Sequence, residues 1–194
     1  RDAVLEAATR LSRSLHGCHY MDEPLRVEID KRDLGGGVKK WEWVKMGVPI
    51  RLEIGPRDLE KKTVALSRRD RPANEKEFVP FNELPAKLPA ILEEIQANLL
   101  AKATAFRQEN TRQIDNKEDF YAFFTPKDAN KPEIHGGFAL THWDGSLEVE
   151  EQIKNDLKVT IRCIPNGEEF SKTPGTCPFS GNPSKQRVIW AKSY

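Results

Sequence analysis

The sequence predicts an α/β fold, and three features carry that expectation. Ile50, Leu52 and Ile54 alternate with Arg51 and Glu53, the period-2 pattern of a half-buried strand. Val4, Ala7, Ala8, Leu11 and Leu15 recur at helical spacing, as do Ile91, Leu92, Ile95, Leu99, Leu100 and Ala103. A second set of strand and helix patterns follows Asp119, so the 194 residues divide into two domains, 1–114 and 115–194.

The first helix spans about Asp2 to Leu15, and Gly17 ends it. Leu25 to Ile29 reads as a short strand, and Leu34-Gly35-Gly36-Gly37 as a loop. Neither GxxxxGK[ST] nor GxGxxG is present, so those glycines give no phosphate-cradle signal. Trp41 to Asp70 reads as two strands joined by a charged turn. Gly55-Pro56 stops the first, because proline fixes φ and lacks a ladder donor. Thr63 to Leu66 is the second, closed by Arg68-Arg69-Asp70. Trp41 and Trp43 flank Glu42 at strand spacing, suited either to stacking on a base or to covering a sheet edge.

A proline-interrupted stretch from Phe78 to Leu88 leads into the longest helix, about Pro89 to Arg112, which closes the first domain. Asp119 to Phe124 is a short aromatic helix. Its Phe120, Tyr121, Phe123 and Phe124 suit packing between the domains better than base stacking. Thr125 to His135 is a loop. Gly137 to Trp143, Val159 to Ile164 and Arg187 to Ala191 are strands, and Ser146 to Asp156 is an acidic helix. Asn166 to Ser184 is turn-rich. Phe138, Leu140, Leu147, Ile153, Ile161, Val188 and Trp190 are the core candidates of the second domain.

Composition narrows the function. Hydrophobic residues make up 38% and charged residues 31% of the chain, and no apolar run approaches the roughly 20 residues of a membrane span. Arg1-Asp2-Ala3-Val4 is no secretory signal; it lacks a methionine and enters a helix at once, so the chain reads as a piece of a longer one. Cys18, Cys163 and Cys177 form no disulfide framework, which fits a reducing cytoplasm. Formal net charge is only +1, yet residues 31–71 hold twelve Lys/Arg against six Asp/Glu. A local excess of +6 on a near-neutral chain suits either a polyanion partner or an ordinary solvated surface. His135 and His142 have no sequence-defined catalytic partner, and a lone histidine is more often structural.

The run Gly47-Val48-Pro49, Arg51, Glu53, Gly55-Pro56-Arg57-Asp58 and Arg68-Arg69-Asp70 resembles the anticodon-binding domain of the prolyl-tRNA synthetase family. The resemblance continues through Lys102–Arg112, Gly137-Phe138-Ala139, Thr160–Pro165 and the closing Val188–Tyr194. It implies the class II synthetase anticodon-binding fold, a mixed β-sheet packed with helices, then a small α+β domain. The family's strand ahead of the first helix is absent here, so the first sheet is expected to be incomplete at one position. By resemblance, the partner is proline tRNA, with no membrane and no DNA, and the intact enzyme is a homodimer through a catalytic domain outside this chain. The intact enzyme uses ATP and Mg²⁺; this piece carries no catalytic residue and needs no cofactor.

The resemblance also supplies site residues. A guanine offers O6 and N7 to a basic side chain, and its N1–H and amine suit a carboxylate. Guanines are common to proline anticodons in the family. Arg51, Arg57, Asp58 and, by a looser alignment, Lys76 match the family's anticodon readers, and Arg68 belongs with them in the same motif. The family's glutamate just before the GVP run is displaced here, and Glu42 is the candidate replacement. The competing reading of Arg51, Glu53, Arg57 and Asp58 is a cross-strand salt-bridge set, worth little at a surface. Lys40 suits a phosphate. The terminal Tyr194 matches a tail that folds toward the catalytic domain.

Zinc-bearing relatives use two cysteine pairs. Their positions here are Asp144 and Val149, then Cys177 and Ser180, one thiolate of four, so zinc is not expected. Two other readings are a stand-alone accessory tRNA-binding module and a small metal-binding interaction domain centred on Cys163 and Cys177.

Overall fold

The computed structural model describes residues 2–128, 130, 137–166 and 173–192. The chain forms two units, Arg1–Ala103 and Thr104–Tyr194.

In the first unit, α1 (Asp2–His16) buries Ala7, Leu11 and Leu15 on one stripe. A minimal hairpin follows, β1 (His19–Tyr20) with β2 (Glu23–Pro24), turned through left-handed Met21 and Asp22. The expected strand from Leu25 to Ile29 pairs with no strand among the described residues. Leu25 and Val27 still pack against the core, which accounts for the strand-like pattern without a ladder.

The expected loop and tryptophan strand are together a helix, α2 (Gly36–Lys45). Gly36 and Gly37 occupy its first turn, where N–H groups lack intrahelical partners in any case. One face of α2 is tied to Asp30: Trp43 donates from Nε1 to its carboxylate at 2.9 Å, and Lys39 from Nζ to its carbonyl at 3.1 Å. These anchors outweigh the strand-like W-E-W spacing.

Strand β3 (Ile50–Glu53) pairs with β4 (Thr63–Arg68), and β4 with β5 (Glu77–Pro80), all antiparallel. The charged turn between β3 and β4 is a short helix, α3 (Pro56–Lys61). Pro56 suits its first position because φ is already helical and no donor is needed there; left-handed Lys62 ends it. β3 is an edge of its sheet. A cleft of about 1020 Å³ lies beside it, lined also by Leu25–Leu34 and by Val4, Ala8 and Leu11 of α1.

The long helix α4 (Leu84–Asn110) starts before Pro89. Pro85 sits harmlessly in the first turn. Pro89 has no N–H for the Pro85 carbonyl; the Cys18 thiol donates weakly to it instead, at 3.6 Å. Leu84, Leu88, Ile91 and Ile95 then close over Val64, Leu66 and Val79.

The second unit holds a four-stranded mixed sheet in the order β6 (Thr111–Gln113), β7 (Phe138–Trp143), β11 (Gln186–Lys192), β8 (Val159–Cys163). The β6–β7 pair is parallel and the other two are antiparallel. Helix α5 (Lys117–Phe124) sends Phe120 and Phe124 into this unit's own core. Phe120 meets Phe179 and Trp190 edge-on at centroid distances of 4.8 and 5.7 Å. These two aromatics are thus not the interdomain packing expected of them. Helix α6 (Leu147–Leu157) buries Val149 and Ile153, while Leu147, a predicted core residue, is exposed at its first position. The turn-rich segment contributes a hairpin of β9 (Gly175–Thr176) with β10 (Pro183–Ser184).

At the end of β4, Arg68 is only 4% exposed. Its guanidinium grips Asp70 through two bonds of 3.0 and 2.8 Å and reaches Glu94 of α4 at 2.7 Å. Arg68 holds the Asp70 carboxyl down to about 2. The stability this gives is complete above the ordinary carboxylate pKa and is lost as pH falls from about 4 through about 2. Arg68→Ala leaves a buried carboxylate uncompensated and is predicted to cost about 3–5 kcal/mol, read by denaturant unfolding at neutral pH.

Candidate nucleic-acid interface

The β3–β4 register places Ile50 and Leu52 on the core face, and so Arg51 and Glu53 on the opposite one. At the end of β3 the chain turns through Gly55 into α3. Asp58 caps this corner, its Oδ2 accepting the Gly55 N–H at 2.8 Å. Arg57 beside it is exposed, with no ion pair among the described residues. An exposed guanidinium with no ion pair among the described residues thus stands next to a fixed carboxylate. That pairing suits a partner that presents both acceptors and donors along one edge.

The other predicted readers are placed differently. Arg51 is buried, with Nε and Nη2 unpartnered. Lys76, just before β5, crosses the sheet to bond Glu53 Oε2 at 2.6 Å. Glu42 lies on α2 and pairs with Arg32 at 2.6 Å. Arg32 also holds Asp30, depressing the Asp30 carboxyl well below the usual carboxylate range. Arg68 is spent on Asp70 and Glu94, so it is an internal brace and not an open reader; a strand-terminal arginine in sequence gives no sign of which use it has. The supposed cross-strand set of Arg51, Glu53, Arg57 and Asp58 does not form as such; the pairing across the sheet is Glu53–Lys76. Lys40 lies over the Trp41 ring at 5.7 Å from its centroid, and Trp41 is 55% exposed. Tyr194 and His135 lie outside the described residues.

In the second unit, sequence reasoning missed the use of Asp144. Its Oδ2 accepts from Ser180 Oγ at 2.6 Å and Asn182 Nδ2 at 3.0 Å, and its Oδ1 from Ser146 N and Oγ at 3.0 and 2.9 Å. These donors, Ser180 first, hold its carboxyl far below the usual range. Cys177 is fully buried and Cys163 exposed. Among the described residues no three His, Cys, Asp or Glu side chains gather as metal ligands. His142 is buried, bonded through Nδ1 to Ser184 Oγ at 3.1 Å; burial and Arg187 lower its pKa. No helix among the described residues is long and apolar enough to cross a membrane.

Comparison with known proteins assigns both units. Residues 1–91 match the anticodon binding domain family, and residues 127–194 match the family described as prolyl-tRNA synthetase, C-terminal. The first unit is therefore an anticodon-binding domain. All of the chain aligns with a proline–tRNA ligase of Anaeromyxobacter dehalogenans at 52% identity and with one of Akkermansia muciniphila at 48%. It spans 38% and 37% of their lengths. The prolyl-tRNA synthetase of Cryptosporidium parvum, solved with L-proline and AMP, superposes with a TM-score of 0.69 at 27% identity, covering all of this chain and 37% of that one. The chain belongs to the proline–tRNA ligase family, and holds its anticodon-binding and C-terminal domains.

Asp58 has a measurable structural duty apart from any ligand. Asp58→Ala is predicted to lower stability by about 1 kcal/mol through loss of the α3 cap, and Asp58→Asn by less, by thermal and urea unfolding.

Proposed function

We propose that this chain reads the anticodon of proline tRNA as part of a ligase that joins proline to that tRNA with ATP and Mg²⁺. The single observation that carries the reading is the corner at Gly55–Asp58, where free Arg57 adjoins anchored Asp58 in a chain whose relatives are proline–tRNA ligases. Arg57 donates to guanine O6 and N7. Asp58 keeps Oδ1 for the N1–H and amine while Oδ2 holds the corner. The Glu53–Lys76 pair offers a second donor–acceptor couple on the same side of β3. Arg51 keeps unused donors beneath them. Glu42 and Arg32 act as a further charged couple at α2, and Lys40 reaches a phosphate. Arg68 braces the strand that carries the site. Tyr194 docks toward the catalytic domain, and the intact ligase is a dimer through that domain, working in the cytoplasm.

Arg57→Ala in the intact ligase is predicted to weaken binding of a proline anticodon stem-loop by about 1–3 kcal/mol and to erase most of its preference over a loop lacking the guanines. Lys40→Ala weakens both loops alike. Equal affinity of the wild-type enzyme for both loops contradicts the reading.

The second domain is read as zinc-free. A closed tetrahedral zinc site needs four ligands, and the matching positions offer Cys177, Ser180, Asp144 and Val149. The carboxylate that would have to ligate already takes four hydrogen bonds. The donor set does not fit the ion, and the Asp144 clasp ties the same two turns together in its place. Purified protein is predicted to hold far less than one zinc per chain, with a Tm indifferent to chelator, whereas Asp144→Ala lowers that Tm. One tightly bound equivalent of zinc overturns the assignment.

A further inference from the structure

The outward face of the three-stranded sheet holds an aromatic that the anticodon reading does not yet use. The register aligns Glu53, Ala65 and Phe78 in one row across β3, β4 and β5, and Arg51 with Ser67 in the next. Directly opposed residues share a face, so all five project away from the core. In the middle of the face Ala65 and Ser67 are small and buried. Phe78 at the β5 edge is 60% exposed. Solvent exposure of so large a ring on an edge strand is costly in aggregation risk unless something uses it.

Three further observations say what kind of partner the face fits. First, polar groups on this face lack partners: Arg51 Nε and Nη2, Thr63 Oγ1 and Ser67 Oγ are all buried and unbonded. Second, the Lys76–Glu53 pair runs over the face at 2.6 Å, across the central strand, and half-exposed ion pairs of this kind are readily re-formed around a polar ligand. Third, the stretch of residues 31–71 that supplies β3 and β4 carries an excess of six positive charges, which favours an anionic strand over a second protein surface. Every base has a π-face, so one exposed ring beside positive charge suffices to hold an unpaired nucleotide without reading its identity.

We infer that Phe78 is a stacking platform for an unpaired base of the bound tRNA loop, held beside the base-edge contacts of the Glu53–Lys76 pair. This rests on the anticodon reading and deepens it: the corner at Arg57–Asp58 selects guanine, while Phe78 seats a neighbouring base by its face. The ring supplies affinity and not selectivity.

The test uses the full-length ligase and synthetic anticodon stem-loops with 2-aminopurine placed at one unpaired position at a time. Phe78→Ala is expected to weaken binding about tenfold, equally for loops with and without the guanines, and to abolish fluorescence quenching at one loop position. Phe78→Trp and Phe78→Tyr keep both affinity and quenching. Phe78→Leu, which preserves apolar bulk but has no ring, behaves like alanine. Unfolding midpoints of all four variants stay near the wild type, since the ring is exposed. Wild-type affinity with Phe78→Ala overturns the stacking role while leaving the anticodon reading intact. A loss in Phe78→Ala that Phe78→Leu restores makes the ring a packing residue and overturns it too. If Phe78→Ala changes the sedimentation behaviour of the protein but not its RNA affinity, the face serves another protein surface and the inference fails. Failure of the wild-type ligase to bind any proline loop removes the anticodon reading and this inference together.

Discussion

The antiparallel pairing of β3 with β4 is the constraint on which the first unit depends. Its register, Ile50 opposite Arg68 through Glu53 opposite Ala65, decides two faces at once. One face buries Leu66 and packs half-buried Leu52 against the core; the other carries Arg51 and Glu53. A slip of β3 by one residue would turn both charged side chains toward the core and expose Leu52, so the hydrophobic pattern and the proposed recognition surface are specified together. The ladder continues beyond the strands: Arg69 donates its N–H to Pro49 at 3.0 Å and its Nη1 to Gly47 at 3.1 Å. At the opposite end the Gly55 corner follows directly, and the position of Arg57 is inherited from the register.

In both units charged side chains hold the turns. Arg68 joins β4 to Asp70 and α4, and Asp30 gathers Arg32, Lys39 and Trp43. Ion pairs add little net stability compared with apolar packing, though removing one partner of the buried Arg68–Asp70 pair is expensive; what they supply here is placement of the strand ends and of α2. In the second unit an edge-to-face set of Phe120, Phe124, Phe179 and Trp190 fills the interior. Asp144 then ties the turn before α6 to the turn after Cys177. Asp115 pairs with Arg187 across the same unit, and the buried ring of His142 lies close by.

Much of this was legible in the sequence wherever local pattern and tertiary packing agree. The stripes of α1 and α4, the alternation of β3, the aromatic α5 and the strands β7, β8 and β11 were all readable from spacing. Failures came where tertiary anchors outweigh local preference. Three glycines and a W-E-W spacing suggest a loop and a strand, yet Asp30 fixes α2 from outside its own sequence. Leu25 and Val27 alternate like a strand because they turn one face to the core, but apart from the Leu25 N–H bond to the Cys18 carbonyl no paired strand among the described residues flanks them. The motif identified Arg57 and Asp58 as candidates, but not that Asp58 also caps α3. Arg51, Arg57 and Arg68 look alike in sequence; only burial separates an unpartnered guanidinium, an open one and one locked between two carboxylates. Phe78 gave no signal at all, because the strand carrying it was hidden in a proline-interrupted stretch.

On the proposed reading, Arg57 meets the Hoogsteen edge of an anticodon guanine. A double-mutant cycle tests it most directly: wild-type and Arg57→Ala ligase, each titrated with stem-loops carrying guanine or 7-deazaguanine at the second and third anticodon positions. Removing N7 from the contacted guanine should weaken wild-type binding and leave the variant nearly unchanged, with a coupling energy of about 1–3 kcal/mol at one of the two positions. Additive losses, with no coupling at either position, would contradict the account.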